Sequence, residues 1–128
     1  MWGNGMRELK TIQTQGKFNE VWAMDEAGIG GACHYYQVVP AHVKTWAENF
    51  RLPIQFQHGP RNNPGSIQGV LDTDLLEIVR DRLTAFQQGE FANEYNARAL
   101  HHIEEALYQM KLRVDDRLSR GVLGTMEK

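Results

Sequence analysis

The sequence predicts an α+β fold, a small N-terminal antiparallel β-sheet followed by a long C-terminal αα-hairpin. Two patterns predict it. From about 17–59 β-branched and aromatic residues run between glycines and prolines, as in short strands. From about 71–121 apolar residues recur every three or four positions, as on one face of a helix. No flexible linker separates the two parts, and at 128 residues one domain over 1–128 is expected.

Taken in order, Phe18, Val21, Trp22 and Met24 lie in an extended candidate over 17–25. Gly28-Ile29-Gly30-Gly31 then reads as a turn, because glycine reaches positive φ cheaply. The following run, 32–39, is rich in aromatic and β-branched residues and ends at Pro40, so the two runs make a hairpin. The stretch 41–50 reads equally well as a short helix or a loop. Pro53-Ile54-Gln55-Phe56-Gln57 alternates apolar and polar residues, the pattern of a third strand. Gly59-Pro60-Arg61-Asn62-Asn63-Pro64-Gly65 is an irregular polar loop.

The helical half gives the strongest signal. Asp72 reads as the N-cap of the first helix, with Leu71 and Leu76 at the positions of a hydrophobic staple and Asp74 in the first turn. Leu75, Leu76, Val79, Leu83 and Phe86 form its stripe, and Gly89 closes it. A second helix is expected from near Asn93 to Arg120, with Gly121 at C′. Its stripe is Asn96, Leu100, Ile103, Leu107, Met110, Val114 and Leu118, close to a heptad seam. The second helix outruns the first by several turns, so its seam needs another cover. A second copy of the chain suits such spacing, and an oligomer through the hairpin is expected.

Composition excludes several functions. Lys+Arg number 14 and Asp+Glu 16, a net charge of −2, which argues against a polybasic binder of nucleic-acid polymers but not against a local basic pocket. A single cysteine, Cys33, forms no intrachain disulfide and suits a reducing compartment. No apolar run approaches the roughly 20 residues of a membrane span, and the first residues do not read as a signal peptide.

Candidate chemistry sits in three places, each with a plainer alternative. Arg113, Arg117 and Arg120 fall within two turns of helix two and suit a phosphate group held bidentately. Asp115 and Asp116 are close enough to neutralise them, so a solvated charged face is the alternative. Phe86 and Asn96 flank the helical turn. A ring can stack on a purine and a carboxamide can pair with a base edge or ribose hydroxyl. A core role for Phe86 and a register-fixing role for Asn96 are the alternatives. His58, Arg61 and Asn62 offer polar groups on the irregular loop, where a lone arginine usually faces solvent. His101, His102, Glu104 and Glu105 include an i, i+4 pair, but no spacing supplies a third ligand, and no metal or cofactor is expected. Cys33-His34 are merely adjacent, and the glycine run lacks both the GxGxxG spacing and a Walker pattern.

Several segments resemble a known family. They are Ile54-Gln55-Phe56-Gln57-His58-Gly59-Pro60-Arg61, Leu75-Leu76-Glu77-Ile78-Val79-Arg80-Asp81-Arg82-Leu83, Phe86-Gln87-Gln88-Gly89-Glu90-Phe91, Asn96-Ala97-Arg98-Ala99-Leu100 and Ile103-Glu104-Glu105-Ala106-Leu107. Arg113, Arg117 and Arg120 leading into Gly121-Val122-Leu123-Gly124-Thr125 continue the likeness. Together they resemble the phage anti-Thoeris sponges of the first type, whose helical hairpin is shared with the anti-CBASS sponges of the second type. The N-terminal strands fit the anti-Thoeris branch.

The resemblance implies a non-enzymatic protein that sequesters cyclic nucleotide immune signals in the cytoplasm of the infected bacterium. The implied ligand is a glycocyclic ADP-ribose made by a TIR-domain enzyme, with cyclic di- and trinucleotides of CBASS type as further partners of some members. It also implies self-association, as a dimer or a hexamer. By motif position, Phe86 would stack on adenine, Asn96 would hydrogen-bond the ligand, Arg113 and Arg117 would hold the pyrophosphate, and Arg61 would contribute from the loop. Arg120, His58 and Asn62 are weaker candidates. An oligomeric adaptor without a small ligand, or a nucleotide hydrolase using the His101 cluster, are the competing expectations.

Overall fold

The computed structural model describes residues 6–41 and 50–128. The chain divides into two compact units, Met1–Gly69 and Val70–Lys128.

The first unit is a four-stranded antiparallel sheet in the order β1 (Arg7–Glu8), β2 (Asn19–Ala23), β3 (Tyr35–Pro40) and β4 (Leu52–Gln55). The expected hairpin is the β2–β3 pair, with Val21 opposite Val38 and Ala23 opposite Tyr36. Its β-branched and aromatic residues suit the pleated surface. Beyond Asp25 the chain turns through a 3-10 segment, Ile29–Gly31, in which Gly30 and Gly31 take φ of +79° and +83°. The Asp25 carboxylate accepts from the backbone N–H of His34 at 3.0 Å and of Tyr35 at 3.2 Å, which fixes where β3 begins. The third strand forms at 52–55 rather than 53–57, and the chain beyond it stays tied to its neighbour by Phe56 N donating to His34 O at 2.7 Å. Tyr36 and Phe56 meet edge to face with centroids 5.5 Å apart. Pro40 ends β3 as its last residue. β1 was not foreseen: two polar residues carry no periodicity, and only their ladder to Trp22 and Ala23 defines them. Of the stretch 41–50, residues 42–49 lie outside the described residues. The buried apolar residues of this unit, among those described, are Ala23, Val39 and Ala41.

The second unit is the αα-hairpin, α1 (Asp72–Gln87) and α2 (Glu94–Ser119). The start of α1 corrects the sequence expectation by one residue. Leu71, with extended φ and ψ, is the cap residue, and Asp72 is the first helical one. The reason is chemical. The Asp74 carboxylate accepts the Leu71 N–H at 2.8 Å, while Leu71 O accepts from Asp74 N at 3.0 Å. An acid at N3 thereby satisfies the cap backbone without a capping side chain on Leu71. The staple positions move with the cap, so Leu71 and Leu76 no longer hold them.

α2 starts near Asn93 as expected, and the structure makes Asn93 its cap, the Oδ1 accepting Asn96 N–H at 2.8 Å. At its end Gly121 N donates to Leu118 O and Val122 N donates to Arg117 O, with Gly121 at φ +71°. These two bonds are the Schellman closure that Gly121 predicts. The seam of α2 divides in two. Asn96, Leu100, Ile103, Leu107 and Met110 are half-buried, whereas Val114 and Leu118 are 37% and 58% exposed. No helix among the described residues is long and apolar enough to cross a membrane.

Candidate functional site

The hairpin turn is built as a rigid polar clamp. Gln87 Nε2 donates to Asn93 O and Gln87 Oε1 accepts from Asn93 N, both at 3.0 Å. This reciprocal pair ties the end of α1 to the cap of α2. Asn93 Nδ2 also donates to Phe91 O at 2.9 Å. The clamp sets the backbone of both turn candidates. Phe86, on the last turn of α1, is 38% exposed, with the Arg82 guanidinium 5.4 Å from its ring centroid. Asn96, in the first turn of α2, has a half-buried side chain. A partly exposed ring and a half-buried carboxamide on either side of the turn are groups that can stack on and hydrogen-bond a flat heterocycle.

The far end of α2 holds the arginines, and the structure separates their roles. Asp116 takes Arg120, whose Nε lies 3.1 Å from its carboxylate and whose Nη1 donates to Lys128 O at 2.7 Å. Asp115 takes Lys111 at 2.6 Å. That hydrogen bond, with the attraction of the carboxylate, raises the Lys111 pKa above its ordinary value. The two aspartates therefore neutralise Lys111 and Arg120. Arg113 is left exposed, with no ion pair or hydrogen bond to its side chain among the described residues. Arg117 differs again. At 7% exposure it is buried, and its guanidinium donates to Glu127 O at 2.7 Å, Val122 O at 2.9 Å and Thr125 O at 3.2 Å.

The third group lies in the sheet unit, on the loop that follows β4. The loop closes on itself through a bridge in which His58 and Ile67 exchange backbone bonds of 2.9 Å. Arg61 is exposed and donates to Gln68 Oε1 at 3.2 Å and to Gly69 O at 3.3 Å. Asn62 is exposed. His58 stacks on His34 with centroids 4.0 Å apart and planes 5° from parallel. His34 was not foreseen as part of this loop. Its Nδ1 is buried without a hydrogen-bond partner. The one local signal is Gly28, where a Cβ would come within 3.4 to 3.5 Å of both imidazoles. A cavity of about 270 Å³ opens on the loop beside His58, Asn63 and Ser66.

The candidates thus fall into three groups. Phe86 and Asn96 sit together at the turn, Arg113 and Arg117 share the other end of α2, and Arg61, His58 and Asn62 share the loop. Asn96 and Arg113 are 17 positions apart on one continuous helix, which places them roughly 25 Å apart along its axis. Between them lies an open groove of about 510 Å³ floored by Leu107, Met110 and Val114. Its rim charges are already used. Arg80 bridges Glu104 at 2.9 Å and Glu77 at 3.3 Å, and those hydrogen bonds, that to Glu104 foremost, raise its pKa. Glu104 is thereby committed to Arg80. His101 and His102 meet edge to face at 5.4 Å. Among the described residues no three His, Cys, Asp or Glu side chains are grouped to hold a metal ion.

Comparison with known proteins agrees with this architecture. The family model "Acb2/Tad1, hairpin domain" matches residues 51–114, which run from β4 through most of α2. Thoeris anti-defense 1 of Bacillus phage SBSphiJ7 is 33% identical, over 96% of this chain and the whole of that protein. A helical hairpin preceded by a sheet, in a chain matched over 96% of its length by an anti-defence protein, settles the relationship. The chain belongs to the Acb2/Tad1 hairpin family, the anti-defence family of the anti-Thoeris sponges.

Proposed function

We propose that the protein binds and sequesters glycocyclic ADP-ribose, the signal of TIR-domain Thoeris enzymes, without cleaving it, in the cytoplasm of the infected cell. The observation that carries this reading is the split of ligand-type side chains between the two ends of α2. Phe86 and Asn96 offer stacking and an amide at one end, and Arg113 offers an exposed guanidinium beside the buried one of Arg117 at the other. An adenine and a pyrophosphate joined in one small molecule cannot reach both ends of a helix separated by roughly 25 Å. The pocket therefore joins the turn of one copy to the arginine end of another.

The exposed seam at Val114 and Leu118 supports the same assembly, because apolar side chains at coiled-coil spacing pack well against a partner. Sequestration needs an enclosed, preorganised pocket with slow release and no general base.

Two measurements test the reading. Protein incubated with glycocyclic ADP-ribose and then heated should return the molecule intact; recovery of a cleaved product identifies an enzyme instead. Arg113→Ala should weaken binding by tenfold or more with unchanged helix content, since a hydrogen bond from a charged group contributes about 1.5–3 kcal/mol. An affinity within about a factor of two of the parent returns Arg113 to the solvated surface.

A further inference from the structure

The buried Arg117 is covered by the chain's own tail. All three of its acceptors, the carbonyls of Val122, Thr125 and Glu127, are neutral, and no carboxylate is among its hydrogen-bond partners. An anion holds a guanidinium better, because charge-assisted bonds are roughly twice as strong as neutral ones. Besides Arg117, the segment is held by Arg120 Nη1 donating to Lys128 O at 2.7 Å, and its apolar anchoring is slight. Leu123 and Met126 stay exposed, so little apolar burial holds it down. Gly121 and Gly124 take φ of +71° and +80° with no atom within 4 Å of where a Cβ would sit, which leaves two unobstructed pivots. One turn back along α2, Arg113 stands exposed.

We propose that residues 122–127 are a displaceable strap, whose carbonyls occupy the Arg117 guanidinium until the phosphate oxygens of a ligand take their place. This rests on the reading of Arg117 as a ligand-binding residue. In the ligand-free chain the carbonyls stand in for anion oxygens and keep the cation hydrogen-bonded. A ligand whose pyrophosphate bridges Arg113 and Arg117 expels them. A strap docked in nine molecules of ten lowers the apparent affinity about tenfold.

Amide hydrogen exchange on the full chain, with and without saturating glycocyclic ADP-ribose, tests the strap. The Thr125 N–H donates to Val122 O and the Glu127 N–H to Thr125 Oγ1, bonds inside the strap that shape the turn it presents to Arg117, so both amides report the loss of that turn when the strap is expelled. Ligand should speed their exchange about tenfold or more, and a chain ending at Gly121 should bind about tenfold tighter. Thr125→Val keeps the whole chain and removes the hydroxyl that donates to Val122 O and accepts from Glu127 N. It should tighten binding about threefold, with helical circular dichroism unchanged. Binding with unchanged or slower exchange of the two amides, and no gain in either variant, overturns the strap and leaves sequestration standing. Binding by the shortened chain alone supports the strap in its strongest form. No binding by any of the three proteins overturns both.

Discussion

The sheet unit and the hairpin unit bury different things. In the sheet unit the buried residues, among those described, are small and apolar: Ala23, Val39 and Ala41. In the hairpin the buried one is a cation, Arg117, while Ile78, Val79, Leu112, Val114 and Leu118 stay exposed. The sheet unit is tied by backbone ladders, the Asp25 carboxylate and a loop laced by Gln57, Arg61 and Gln68, and it leaves Ile12, Phe18, Leu52 and Ile67 exposed at scattered positions. The hairpin is an unfinished element, whose long helix displays more apolar surface than its short partner covers. Exposed apolar residues spaced along one helix seam, unlike the scattered ones of the sheet unit, suit the proposed sharing of a site between copies.

The comparison breaks most sharply at Gly69. A Cβ there would lie 2.3 Å from Gln55 O and 2.6 Å from the Phe56 carbonyl carbon, against backbone that has no room to yield. Gly69→Ala should destabilise the sheet unit by about 3 kcal/mol or more. Thermal unfolding followed at the tryptophans of the sheet unit and at the helical signal should then separate into two transitions. A single shifted transition makes the two units one cooperative structure.

The next effect concerns assembly. Val114→Glu with Leu118→Glu places carboxylates on a surface already exposed in the single chain. Helix stability should change by no more than about 0.5 kcal/mol, while native mass and sedimentation should fall to one chain. An unchanged assembly mass moves the interface elsewhere.

A smaller change tests the turn. Asn93→Ala removes the cap on Asn96 N–H and the bond to Phe91 O. It should lower hairpin stability by about 1 kcal/mol, read by chemical denaturation, without affecting the sheet transition. The smallest effect is alkaline. Folding raises the Lys111 pKa through its bond to Asp115. The stabilisation from that pair is fully present below the ordinary lysine pKa and is lost as pH rises through the folded value. Melting in that alkaline range should therefore fall slightly further in the parent than in Asp115→Asn. Identical slopes assign the pair no role in stability, as for many exposed pairs.

Periodicity and caps carried most of the fold. The spacing of Leu75, Leu76, Leu83, Leu100, Ile103 and Leu107, with Asn93 and Gly121 at the ends of α2, defines the hairpin within a residue or so. The β2–β3 pair was legible because β-branched and aromatic residues bracket a glycine turn. β1 was illegible because Arg7 and Glu8 are strand only by their pairing to Trp22 and Ala23. The first cap was misread by one residue because Asp72 and Asp74 both favour a helix start, and the side chain of Asp74 decided between them. Among the site candidates, the placing of Phe86 and Asn96 about the turn could be read from spacing. The burial of Arg117 could not, since it depends on a return of the chain marked only by Gly121 and Gly124. The His34–His58 stack was hidden because its members, 24 positions apart, meet only through the pairing of β3 with β4.

The open end of the α2 seam has a quantitative consequence for how the protein acts. On the proposed assembly, an element that finishes its packing only against another copy links stability and capture to protein concentration through mass action. Its melting temperature rises with concentration, and below the dissociation constant of the assembly most chains carry only half-sites. Capture then grows more steeply than protein amount. Such a protein behaves as a threshold, ineffective when scarce and abruptly effective once enough copies have met.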